Sequence, residues 1–188
     1  MKKEKKKKAV FLDRDGTIVA HKPFLSSPDE LELLTNAAEG LRLFKKYGYM
    51  AILVTNQSGI ARGFFNEGQL ALVHKKLLNM LEDEGITIDD VYYCPHHIEG
   101  VIEKYKIVCE CRKPKTGMFQ SAARRHSIDL SRSIMIGDSE VDMMAGKNAG
   151  CKSILIKNTH SDEILRNLVV NVDYIVNDLL EAARLFTY

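Results

Sequence analysis

With 188 residues, 45% hydrophobic and 28% charged, the chain has the make-up of one soluble globular domain, long enough to cover a sheet on both faces and short for two separate cores. The formal net charge of +2 is carried by the start of the chain: six lysines and one glutamate in the first eight residues supply +5, leaving −3 on the rest. A mildly acidic body argues against a nucleic-acid binder, whose basic face would lie on the fold itself.

Residues 1–8 are expected to form a solvated, disordered basic arm ahead of a single domain over 9–188. The first strand signal, 9–12, runs straight into Asp13-Arg14-Asp15-Gly16-Thr17. In an extended segment residues i and i+2 project to one side, so Asp13 and Asp15 can share a small volume. Gly16 allows a tight turn that brings backbone amides near an anion. One Asp-Gly at a strand end is an ordinary turn, whereas two carboxylates at this spacing point to phosphoryl transfer. A helix holding Leu41, Phe44 and Lys45 then stops near Gly48, and a strand at 50–54 ends in Thr55-Asn56-Gln57-Ser58-Gly59. The segment 67–84 carries a helical stripe of Leu70, Val73, Leu77, Leu78 and Leu81.

Further strands are expected at 91–93, 134–136, 153–156 and 174–176, with helices at 117–126, 142–149, 161–169 and 178–185. The alternation predicts an α/β fold, a three-layer, doubly wound parallel sheet with no internal repeat and no linker. Only four apolar residues follow the lysines before Asp13, too few for a signal peptide, and no segment approaches a membrane span. A cytoplasmic monomer with reduced cysteines and no membrane partner is the expectation.

Ligands of open parallel sheets bind beyond the carboxyl ends of the strands. Three polar clusters fall there: Asp13-Arg14-Asp15, the Thr55 to Gly59 run, and Gly137-Asp138-Ser139, with Arg112-Lys113-Pro114 adding cations before the helix at Gly117. Asp13 is the candidate nucleophile and Asp15 the candidate proton carrier. Carboxylates beside a phosphate repel unless a cation intervenes, so Mg²⁺ is expected at Asp13, Asp15 and Asp138. The Thr55 hydroxyl and the Lys113 ammonium suit the equatorial phosphoryl oxygens. Arg112 has the planar fork for a second phosphate or for sugar hydroxyls.

Three of the four cysteines lie between Cys94 and Cys111, which speaks for a metal site over a disulfide framework. Cys94-x-His96 and Cys109-x-Cys111 supply three thiolates and an imidazole, a filled tetrahedral set for a structural Zn²⁺ in a loop insert. Cys151 reads as a small buried apolar residue, and His74 and His126 as surface or capping residues.

These residues carry a resemblance. Asp13-x-Asp15-Gly16-Thr17, Thr55-Asn56, Lys113 and Gly137-Asp138-x-x-x-Asp142 resemble the four motifs of the haloacid dehalogenase superfamily. The fuller strings over 11–18, 55–63, 92–97 and 109–114 resemble the D-glycero-D-manno-heptose 1,7-bisphosphate phosphatases, over about residues 10–156. The resemblance implies a Mg²⁺-dependent phosphatase acting on a small phosphorylated sugar through an aspartyl phosphate, without a large cap domain. It points to His96 as the zinc ligand over His97, and to Asn56, Gln57, Ser58, Arg112, His21, Phe24 and Ser139 near the substrate. Ser139 replaces the family's lysine, and His21-Lys22-Pro23-Phe24 replaces an Asp-x-Gly-Tyr-like segment, so the reaction is implied more firmly than the sugar. Histidinol phosphate or another small phosphomonoester is the alternative substrate, and a non-catalytic zinc-loop interaction protein the alternative of another class.

Overall fold

The computed structural model describes residues 6–157 and 172–186. Strands β1 (Lys8–Leu12), β2 (Tyr49–Asn56), β3 (Asp90–Cys94), β4 (Ile134–Gly137), β5 (Lys152–Ile156) and β6 (Tyr174–Val176) form one parallel sheet in the order β3-β2-β1-β4-β5-β6. Helices α1 (Ala37–Lys46), α2 (Glu67–Asp83), α3 (Gly117–His126), α4 (Glu140–Ala149) and α5 (Leu179–Arg184) cover it. The helix expected at 161–169 lies outside the described residues.

The strands are continuous apolar runs because both sheet faces are buried. Alternate residues go to opposite sides. Val10, Leu12, Ala51, Leu53, Ile134 and Ile136 pack with Leu41 and Phe44 of α1, Leu77 and Leu81 of α2, and Leu179 of α5. Ala9, Phe11, Ile52, Val54 and Met135 pack with Met118, Phe119 and Ala122 of α3 and Ala145 and Ala149 of α4. These are the three expected layers.

Several boundaries differ from expectation for identifiable reasons. β2 runs on to Asn56, because Thr55 and Asn56 still pair with Tyr93 and Cys94 of β3; their polarity hid this in the sequence. α4 starts at Glu140, since Ser139 and Asp142 form a capping box at its entry. Lys7 and Lys8, expected in the basic arm, belong to the fold. Lys7 bridges to Ile128, and Lys8 opens β1 with its ammonium 3.8 Å from the Tyr49 ring centre.

Between β1 and α1 the chain forms a 3₁₀ turn, Pro28–Glu30, and isolated bridges from Val19 to Asp15 and to Leu33, so no cap domain is inserted there. A second excursion, 95–116, lies between β3 and α3 and holds the turn Glu103–Tyr105. No helix among the described residues is long and apolar enough to cross a membrane.

Phe119 is fully buried and packs on Phe11 with ring centres 4.8 Å apart, two residues before Asp13. Phe119→Ala is expected to cost about 3–5 kcal/mol. Urea denaturation reads this as a lower midpoint; a loss below about 1 kcal/mol would contradict the packing described.

Candidate active site

The strand order reverses between β1 and β4, the point at which open α/β sheets form a crevice. The Asp13 N–H donates to the Ile136 carbonyl at 3.0 Å, tying the two strand ends together. Carboxylate oxygens of Asp13, Asp138 and Asp142 lie within 4.8 Å of one another. The buried Lys113 ammonium lies among them. Its Nζ donates to Asp13 Oδ1 at 2.7 Å, to Asp142 Oδ1 and to the Val54 carbonyl at 2.8 Å. Burial works against the Lys113 charge, but the Asp13 and Asp142 carboxylates outweigh it and hold the pKa above its usual value. Asp138 is pushed up to about 7 by burial and then by the Asp13 and Asp142 charges. Such a cluster favours a cation with oxygen ligands. The cleft above it, about 620 Å³, is also lined by Asp15, His21, Thr55, Arg112 and Ser139.

Asp15 was expected to hold the metal with Asp13 and Asp138; the carboxylates that converge are those of Asp13, Asp138 and Asp142, and the Asp15 side chain lies outside that group. Arg14 accounts for this: its Nε and Nη2 approach both Asp15 oxygens at 2.9–3.2 Å. Gln57 Nε2 donates to Asp15 Oδ2 at 3.1 Å and to Thr55 Oγ1 at 2.8 Å, so Gln57 is buried against the catalytic candidates. Asn56 turns both ends of its amide to the backbone of Lys113, at 3.1 and 3.0 Å, and so fixes that segment. Ser58 is half-buried in the turn after β2, its carbonyl accepting from Arg62 N. Ser139 caps α4 and donates to Asp142. His21 lines the cleft wall, whereas Phe24 stacks on Phe64 with ring centres 4.2 Å apart.

The second cluster is equally convergent. The Cys94, Cys109 and Cys111 sulfurs lie 3.1–3.5 Å apart, and His96 Nδ1 is 3.2 Å from Cys111 Sγ and 3.6 Å from Cys94 Sγ. Three thiols and an imidazole aimed at one point suit a tetrahedral metal. His97 instead meets Arg62, which pairs with Glu99. The loop is also tied to α2, since the Tyr105 hydroxyl donates to Glu67 at 2.7 Å, beside Tyr93 of β3, whose hydroxyl donates to the same carboxylate at 3.1 Å. Arg112 follows the last cysteine and donates to the His96 carbonyl at 3.3 Å.

A HAD-hydrolase-like family pattern matches residues 110–182. The chain is 44% identical over 153 residues to D-glycero-beta-D-manno-heptose-1,7-bisphosphate 7-phosphatase of Pasteurella multocida, covering 81% of this chain and 83% of that protein. It belongs to this phosphatase family. A Photorhabdus laumondii family member, named as acting on the alpha form, is 35% identical, covering 93% of this chain and 97% of its own. The crystal structure of D,D-heptose 1,7-bisphosphate phosphatase from B. bronchiseptica with magnesium and phosphate superposes with a TM-score of 0.82 at 31% identity, covering 95% and 97% of the two chains.

Within this phosphatase, sequence reasoning missed one residue of the site, Arg14, and left another, Asp142, without a role. Arg14 looked like a spacer between two aspartates, and its neighbours gave no sign that its side chain would fold back on Asp15. Asp142 was named in the sequence only through the resemblance to the superfamily's fourth motif. His74, expected at the surface, is buried; burial and the Arg14 charge lower its pKa to about 3, so it is neutral. His126 pairs with Asp90 at 2.7 Å near the end of α3, and Cys151 is buried as expected.

Gly16 sits at φ +77°, and a Cβ there would lie 1.9 Å from Asp138 Oδ2. Gly16→Ala is therefore expected to cost at least the roughly 1–2 kcal/mol of a left-handed non-glycine residue and to displace Asp138. Thermal melting and Mg²⁺ titration of the variant measure both; an unchanged melting temperature and unchanged Mg²⁺ affinity would contradict the close approach.

Proposed function

We propose that the chain, with 9–188 as one catalytic domain, hydrolyses the 7-phosphate of D-glycero-D-manno-heptose 1,7-bisphosphate, with Mg²⁺ at the Asp13–Asp138–Asp142 cluster. The observation that carries this reading is the meeting of Asp13, the Lys113 ammonium and a clamped Asp15 in one cleft at the β1/β4 switch point.

Asp13 attacks phosphorus as the bond to the sugar oxygen breaks, giving an aspartyl phosphate. Asp15 delivers a proton to the leaving oxygen and then takes one from the water that hydrolyses the intermediate. Lys113 and Thr55 face the phosphoryl oxygens and hold them as charge redistributes. Arg14 and Lys113 are the cations paired with the site's four carboxylates, Asp13, Asp15, Asp138 and Asp142. When bound, Mg²⁺ supplies the missing positive charge and a further ligand for the phosphate.

The Cys94, His96, Cys109 and Cys111 set fits a structural Zn²⁺, with all four positions taken by protein. By fixing the loop, it fixes Arg112 at the rim, where the guanidinium can hold the phosphate that is not cleaved.

Phosphate release from a panel of sugar phosphates tests the reading. The bisphosphate is expected to be the preferred substrate, and Asp13→Asn to abolish its turnover; faster release from histidinol phosphate would reassign the substrate. Arg112→Ala should lower kcat/KM for the bisphosphate about 10- to 150-fold, with a much smaller loss on heptose 7-phosphate. Equal losses would mean that Arg112 serves the transferred group or the loop. Elemental analysis of protein purified without added metal should find one zinc per chain, lost in Cys109→Ser; a zinc content near zero in folded protein would remove this assignment.

A further inference from the structure

Asp13 and Asp15 leave β1 two residues apart, yet only Asp13 joins the acid cluster. Arg14 separates them. It is 1% exposed and among the largest fully buried side chains. Its Nε and Nη2 hold both oxygens of Asp15, and Nη2 also donates to Gln57 Oε1 at 3.2 Å. Gln57 closes the ring by donating to Asp15 and Thr55. The Arg14 carbonyl accepts from the amides of Thr17, Ile18 and Val19, so the backbone of the turn is fixed at the same residue.

Burying a guanidinium is unfavourable unless its donors are paired, and a buried ion pair is weak support for stability. Arg14 Nη1 is buried with no hydrogen-bond partner, so the burial is incompletely compensated. A buried cation turned back on its sequence neighbour secures one thing well, the direction of that neighbour's carboxylate.

We propose that Arg14 is a positioning residue for proton transfer: with Gln57 it holds the Asp15 carboxylate in the cleft and keeps it out of the Asp13–Asp138–Asp142 cluster. The inference rests on the phosphatase reading above. The step served is transfer of the Asp15 proton to the oxygen that leaves as Asp13 bonds to phosphorus. An alkoxide leaving group needs that proton, whereas p-nitrophenolate leaves without it. kcat/KM reports the path up to formation of the phosphoenzyme, so its later hydrolysis does not enter the comparison.

The test measures kcat/KM of the wild type, Arg14→Met and Gln57→Leu on the heptose bisphosphate and on p-nitrophenyl phosphate. Arg14→Met is expected to lose about 100-fold or more on the sugar ester and less than about 10-fold on the aryl ester, with Gln57→Leu smaller in the same direction. In an Asp15→Asn background, Arg14→Met should cause no further loss on the sugar ester, because the group it positions is gone. Equal losses on the two esters, or losses that add to those of Asp15→Asn, would overturn the inference while leaving the phosphatase reading intact. If the wild type released phosphate from neither ester, both would fall. Should Arg14→Met fail to fold, Gln57→Leu, which keeps the Arg14–Asp15 pair, decides by the same comparison: selective loss supports the role and equal loss overturns it.

Discussion

The structure turns on one buried ammonium. Lys113 is 3% exposed and lies between Asp13 and Asp142, with the Val54 carbonyl as its third acceptor. A lone charge at that depth would be untenable, and two carboxylates make it stable. It also makes the site cohere, because Asp13 directly follows β1, Val54 belongs to β2 and Asp142 lies on α4. Asn56 holds the Lys113 backbone and Ser139 holds Asp142, so both partners of the ion pairs are themselves held. Asp13, the proposed nucleophile, is thereby oriented before any substrate arrives, the kind of preorganisation on which phosphoryl transfer depends.

A second constraint comes from the 95–116 excursion. Without a cap domain, the rim over the cleft must be built from loops, and this one is pinned by the Cys94–His96–Cys109–Cys111 cluster at its base and by Glu67 at its side. Arg112 emerges directly from the cluster into the cleft. The loop still presents Ile98, Val101 and Val108 to solvent. Its order therefore comes from polar and cluster contacts more than from a core of its own.

Much of this was legible in the sequence, because the residues that matter sit where apolar strands stop. Asp13, Thr55 and Asp138 each follow a run that only a buried strand explains, and the Cys-x-His and Cys-x-Cys pairs have unmistakable spacing. What was hidden depends on side-chain direction. The i, i+2 rule put Asp13 and Asp15 in one cleft, where both lie, but it could not foresee that Arg14 would hold the Asp15 carboxylate outside the acid cluster. Polar Thr55 and Asn56 looked like the end of β2 because the sequence does not reveal that β3 continues beside them. Lys8 looked like part of a solvated arm, since its stacking on Tyr49 is a tertiary contact.

The central claim is that Asp13 takes the phosphoryl group before water does. Hydrolysis of the heptose ester carrying an isotopically chiral phosphoryl group tests it directly. Two in-line displacements, first by Asp13 and then by water, predict retention of configuration at phosphorus. Inversion would mean a single attack by water, and the account of Asp13 as nucleophile would be wrong.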